Sequence, residues 1–155
     1  MIDPNLRDLY QEVILDHGRN PRHFGPLEGA SHEAHGHNPL CGDRVHLYLK
    51  VDDEGRVADV SFEGKGCAIS MASASMMSDL ILGKEVGEAM ALAEAFYHMA
   101  KGEEAATNVS SEDLERLEVM SGVSQFPMRV KCATLAWHTF ESALDETASE
   151  IGERE

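Results

Sequence analysis

The sequence predicts an α+β fold, a small three-stranded antiparallel sheet with helices packed on one face. Three observations carry this reading. Arg44–Val51 alternates apolar and polar residues, and "RVADVSFE" does so again after Asp52-Asp53-Glu54-Gly55, which is a β-hairpin. Two stretches with helical spacing follow the hairpin, and a third closes the sequence. The length of 155 residues, 43% apolar and 26% charged, suits one domain with a real core.

Taken in order, Pro4 to about His17 places Leu6, Leu9, Tyr10, Val13 and His17 at helical spacing, and "GRNPRHFGP" ends that helix. "GASHEAHGHNP" holds at most a short edge strand, because Gly36 and Pro39 work against one. In the hairpin, Val45, Leu47, Leu49 and Val51 share one face, and Ala58, Val60 and Phe62 share a face of the second strand. "GKG" breaks that strand, and Cys67 opens a helix with Ile69, Ala72, Met76 and Leu80 on one side. Val86 to Ala100 forms another, burying Val86, Met90, Ala93, Phe96 and Tyr97.

From about 102 to 123 the chain turns acidic and reads as an insert in the single domain 1–155, with a short helix capped by Ser111 and Leu114 and Leu117 inward. The last helix starts near Pro127, a residue favoured at a first helical position. It carries Val130, Ala133, Trp137, Phe140, Leu144 and Ala148 and frays in "ETASEIGERE".

The formal charge of −15 disfavours nucleic acid and anionic membrane surfaces and favours cations or basic protein faces. No secretory signal and no membrane-spanning run is visible, so a reducing cytoplasm is the expected compartment. Three widely spaced cysteines, Cys41, Cys67 and Cys132, do not form a disulfide framework. They are either metal ligands and reactive thiols or small buried hydrophobes.

Hairpin geometry bears on that choice. With the turn centred between Asp53 and Glu54, Arg44 faces Glu63, Asp43 faces Gly64, and Cys41 lies across from Gly66 beside Cys67. Gly42, Gly64 and Gly66 leave room for an atom there. A buried aspartate needs a partner, and a cation is the obvious one. Cys67 sits at a helix N-terminus, which favours thiolate. Such donors suit zinc or iron. Periodicity does not bring Cys132 to the others; that step rests on the last helix packing its N-terminal end against the sheet. Inert thiols remain the competing reading.

Other candidates are weaker. His32, His35 and His37 read as a polar, solvated stretch, and His98 and His138 as surface or hydrogen-bonded helix residues. The serine-rich helix after Cys67 has no base at useful spacing, so its serines read as small packing residues. Arg7, Arg19, Arg22 and Arg44 are available to an acidic partner.

"NPLCGD", "GKGCAISMASASMM" and "FPMRVKCATLAW" together resemble the U-type iron–sulfur cluster assembly proteins, IscU and SufU, over nearly the whole chain. The resemblance implies a SufE/NifU-like fold and supports a first strand within 31–38. It is closer to the SufU branch. Lys131 stands where scaffold-type IscU proteins carry a histidine, and SufU-like proteins have an insert like the acidic stretch here. Lysine offers a metal no lone pair. The implied ligands are therefore Cys41, Asp43, Cys67 and Cys132, around a zinc ion whose net −2 site charge Lys131 and Arg129 offset.

The implied activity is that of a zinc-dependent sulfurtransferase. It takes persulfide sulfur from a cysteine desulfurase, with Cys41 as acceptor (Cys132 the second candidate), and serves downstream cluster-assembly or apo-iron–sulfur proteins. The acidic insert could contact a basic desulfurase. The alternative is a non-enzymatic scaffold carrying a [2Fe-2S] cluster or iron on the same ligands. A third reading has zinc only bracing an adaptor.

Overall fold

The computed structural model describes residues 4–39, 42–103, 109–144 and 150–151. The elements run α1 (Pro4–Arg19), β1 (His32–Asn38), β2 (Asp43–Val51), β3 (Val57–Lys65), α2 (Ala68–Ile81), α3 (Val86–Ala100), α4 (Ser111–Leu117), a 3₁₀ segment (Glu118–Gln125), α5 (Pro127–Leu144) and β4 (Glu150–Ile151). Antiparallel strands β1, β2 and β3 form the expected three-stranded sheet, with β2 in the middle. The two-residue β4 extends it by pairing parallel with β1, so the tail expected to fray adds an edge. Ala148 lies outside the described residues.

One face of the sheet is covered. Val45, Leu47 and Leu49 from β2, Val60 and Phe62 from β3 and Ala34 from β1 point into the core, where α5 and α2 lie across them. Trp137 and Phe140 of α5 are fully buried there, and the Trp137 ring stacks on Phe96 of α3 with centroids 5.3 Å apart. Truncating a buried aromatic of this kind costs about 3–5 kcal/mol. The other face leaves Glu33, His35 and Arg44 exposed.

Gly36 explains why β1 is hard to see in the sequence. It is buried in the strand, and a Cβ there would run into Thr139 Oγ1 of α5. The glycine is what lets the helix close onto the strand. Local punctuation in the sequence thus reflects a tertiary contact.

The hairpin register differs from the expected one by two residues. Arg44 pairs with Lys65 and His46 with Glu63. Gly55, at φ +79°, extends the turn, and the Asp52 amide closes it by donating to the Arg56 carbonyl at 3.0 Å. A bulge then occurs where Lys50 pairs with Asp59 but Val51 with Val57. The bulge also turns Val57 inward and leaves Ala58 exposed, contrary to the expected face.

Helix faces differ in detail. In α1 the buried residue is Ile14, with Val13 and His17 only partly buried; the side chains of Leu6, Arg7, Leu9 and Tyr10 lie outside the described part. In α3 the buried set is centred on Ala89, Leu92, Ala93, Phe96 and Met99, while Val86, Met90 and Tyr97 sit at the rim. Ser110, not Ser111, caps α4, accepting from the Asp113 amide at 3.2 Å. Leu117, Met120 and Val123 are buried, so the stretch after α3 seals one end of the core.

Candidate metal centre

Asp43 opens β2 and is completely buried. The shifted register decides what it faces. Arg44 pairs with Lys65, so Asp43 meets Gly66 rather than Gly64, and a Cβ on Gly66 would strike the carboxylate. The glycine lets the carboxylate lie against the chain. Asp43 Oδ1 then accepts from the Cys67 amide at 3.0 Å.

Cys67 is the N-cap of α2, with extended backbone angles (φ −71°, ψ 167°). Its sulfur accepts from the Ser70 amide at 3.4 Å, in the place an N-cap oxygen ordinarily takes. Cys132 lies in α5 and is fully buried. Because α5 packs on β1, β2 and α2, its early turns reach the same sheet end. One ligand atom from each of Asp43, Cys67 and Cys132 lies within 4.8 Å of the others. Donors around a tetrahedral zinc sit roughly 3.3–3.8 Å apart, so only small side-chain adjustments separate this trio from a coordination shell.

The electrostatics favour thiolate and cation. A hydrogen bond with Cys132 lowers the Cys67 thiol to about 6; burial and the Asp43 charge oppose it, and the Ser70 and Ile69 amides assist. Arg129 faces both sulfurs. The Cys67 charge, then a hydrogen bond with Cys132, hold its guanidinium firmly protonated. Asp43 Oδ2 is buried and has no hydrogen-bond partner among the described residues. A buried, orphaned carboxylate oxygen beside two sulfurs is what a cation would satisfy, so the residues fit a metal ion.

The structure therefore brings Asp43, Cys67 and Cys132 together, with Arg129 against the thiols. Lys131, next to Cys132, is partly buried on α5. Cys41 lies outside the described residues, and the place expected for it opposite Gly66 is taken by Asp43.

The histidines form no second centre among the described residues. His35 and His37 are in β1, and His35 stacks on His46, 4.0 Å between centroids, in strand rather than solvated loop. His98 is bonded to Glu103 at 2.7 Å, and His138 stacks on Tyr97 at 4.6 Å. One pairing was not legible: His17 of α1 meets the Ser75 hydroxyl at 2.7 Å, a base beside a serine after all. Ser75 is fully buried and also accepts from the Arg22 amide at 2.8 Å, so the contact ties α1 and its following loop to α2 rather than activating a nucleophile. Burial, then the Arg22 charge, keep that imidazole towards its neutral form.

Residues 9–133 match the family described as NifU-like N terminal domain. The chain belongs to this family of U-type iron–sulfur cluster assembly proteins. This U-type chain is 45% identical over 140 residues to the zinc-dependent sulfurtransferase SufU of Bacillus subtilis, covering 90% of the chain and 92% of that protein. It is also 41% identical over 144 residues to the iron–sulfur cluster assembly scaffold protein IscU of Streptococcus pyogenes, covering 93% and 87%. Among solved structures, a candidate cluster assembly scaffold for the SUF system from Fervidobacterium islandicum superposes with TM-score 0.77 at 38% identity, over 89% of this chain and 98% of that one. The U-type fold is shared as well by a NifU-like N-terminal protein of Brucella abortus, with TM-score 0.78 at 27% identity, over 90% and 94%.

Proposed function

We propose that this protein is a zinc-bound sulfur acceptor of iron–sulfur cluster assembly, taking persulfide sulfur from a cysteine desulfurase in the cytoplasm. The observation that carries the reading is the convergence of Asp43, Cys67 and Cys132 within 4.8 Å, with a lysine at 131. Cys41, two residues before Asp43, completes three thiolates and a carboxylate. We take the chain as one domain, with the acidic stretch at about 102–123 as an insert.

Zinc, when bound, keeps the thiols deprotonated and arranged. The chain's own residues do the rest. Asp43 holds the Cys67 amide, which fixes the start of α2, and Arg129 balances the negative shell together with Lys131. Cys41, which follows Pro39-Leu40 and precedes Gly42 in the sequence, is the acceptor. Its thiolate attacks the outer sulfur of the donor's persulfide; a new S–S bond forms, the donor's S–S bond breaks, and the electron pair leaves on the donor's cysteine thiolate. The exchange is redox-neutral and leaves a persulfide for downstream cluster-assembly or apo-iron–sulfur proteins.

A second reading, a scaffold for a [2Fe-2S] cluster, draws on the similarity to the Streptococcus IscU. Lys131 counts against it, since an ammonium supplies no ligand. Metal and sulfide analysis of protein purified without oxygen, followed by sulfur uptake from a matched desulfurase, separates the two. Stoichiometric zinc with persulfide formation supports the acceptor. Iron with acid-labile sulfide and a visible chromophore overturns it in favour of the scaffold. No described helix is long and apolar enough to cross a membrane.

A further inference from the structure

Helix α2 carries four serines that are at least nine-tenths buried, and three of them have partners. Ser73 donates to the Ala133 carbonyl, Ser75 meets His17, and Ser78 donates to the Ser75 carbonyl at 2.7 Å. The exception is Ser70. It is 1% exposed, and its hydroxyl has no partner among the described residues. It is also the serine nearest Cys67 in the chain, and its own amide stands 3.4 Å from the Cys67 sulfur.

Its position in the helix explains the orphan. Cys67 is the N-cap, so Ser70 occupies the third helical position, where a side chain ordinarily reaches back to the N-cap amide. Here Asp43 Oδ1 has taken that amide. Burying a hydroxyl without a partner is unfavourable, and such a group calls for an explanation. Two orphans thus flank Cys67: an acceptor, Asp43 Oδ2, and a donor, Ser70 Oγ, not joined to each other. A cation accounts for the first. It leaves the second, on the residue whose amide already meets the Cys67 sulfur.

We infer that Ser70 is a positioning residue of the centre, its hydroxyl donating to the Cys67 sulfur when that sulfur is a metal-bound thiolate. The inference rests on the reading of Asp43, Cys67 and Cys132 as a metal site. Rotation about one side-chain bond would turn the O–H to that sulfur, whereas in the structure the hydroxyl makes no bond among the described residues. The bond would draw charge from Cys67, making it the poorer nucleophile and leaving sulfur uptake to another thiolate. Partners of this kind shift metal affinity by about 10–100-fold.

Cobalt(II) is the probe, since its thiolate charge-transfer bands report the donor strength of each bound sulfur. In cobalt-loaded full-length protein, Ser70→Ala is expected to move those bands to lower energy and weaken cobalt affinity about tenfold or more. In the metal-free state it is expected to leave the melting temperature unchanged or raised, whereas Ser73→Ala, which deletes a bond already made, lowers it. Unchanged bands with unchanged affinity overturn the inference and leave the metal site standing. A metal-free destabilisation matching that of Ser73→Ala also overturns it, by showing that Ser70 has a protein partner. Failure of the wild-type chain to take up cobalt overturns both this inference and the metal site.

Discussion

The Cys67 amide donates to one oxygen of Asp43 at 3.0 Å, while the other oxygen of the same buried carboxylate has no hydrogen-bond partner among the described residues. One side chain thus both builds the N-terminus of α2 and presents charge to the centre. Asp43→Asn separates the two roles. Its amide oxygen still accepts from Cys67, but the uncharged group no longer serves a cation. Metal affinity is expected to fall tenfold or more, a loss of about 1.4 kcal/mol at least, with the metal-free protein as stable as before or more so. Metal titration beside thermal melts checks this, and an undiminished affinity would remove Asp43 from the ligand set.

Gly66→Ala tests the same carboxylate from the opposite strand. The new Cβ strikes Asp43, so the variant is expected to lose about 1–3 kcal/mol and most of its metal binding. Gly55→Ala is the control. It sits at φ +79° with open space around a Cβ and should cost about 1–2 kcal/mol of backbone strain with metal binding intact. Denaturant melts and metal titration on both variants distinguish a local clash from general weakening.

The Cys67 thiol predicts a pH dependence of the metal-free protein. Its value is lowered from 9.0 to about 6, so the folded state favours thiolate. A depressed value contributes stability that is fully present above the unfolded pKa and is lost as pH falls through the folded one. Stability should therefore gain from this group as pH rises from about 6 to 9. Cys132→Ala removes the hydrogen bond that is the main cause, so the Cys67 thiolate absorbance should titrate at higher pH. An unchanged titration would assign the shift to the helix terminus instead.

Arg129 and Lys131 are both expected to offset the charge of the shell, and Arg129 lies against the sulfurs. Arg129→Ala should weaken zinc binding by about tenfold or more, on the scale of one outer-shell partner. Lys131→Ala should weaken it less. Competition with a chromophoric chelator measures both, and equal losses would return Lys131 to an equal part. Lys131→His adds the nitrogen donor that the lysine lacks. On anaerobic reconstitution with iron and sulfide it should hold a visible chromophore longer than the wild type does.

Gly36→Ala probes the seam between β1 and α5. A Cβ meets Thr139 Oγ1, and the cost is expected at about 1–3 kcal/mol. Adding Thr139→Ala should recover part of it, since contacting residues couple non-additively. A strictly additive double variant would argue that strand β1 is weakened for another reason.

How much of this was legible follows physical lines. The hairpin strands and the helix starts at Val86 and Pro127 follow from local spacing and were readable. Register was not, because it depends on the left-handed conformation of Gly55 and on a bulge, each of which displaces the pairing by one residue. Strand β1 was obscured by a glycine whose purpose is contact with a helix a hundred residues later. In α3, alanines on several sides blur the inward stripe, so Leu92 and Met99 were missed. At the centre, Asp43 and Cys67 could be brought together from hairpin geometry. Cys132 could be tied to them only through the packing of α5, which no local pattern encodes. The orphaned Ser70 and the His17–Ser75 contact depend on which donors their neighbours have already claimed.

The three gathered donors come from a strand, a helix cap and the final long helix, so an ion among them would cross-link the hairpin to α5 and close everything between α2 and α5 into a loop. That is the topological service a disulfide gives in oxidising surroundings, supplied here by a bond that opens reversibly. Chelation would then do more than strip a cofactor. It would let the early turns of α5 breathe against the sheet, and amide exchange along that seam would report the occupancy of the centre without any assay of sulfur.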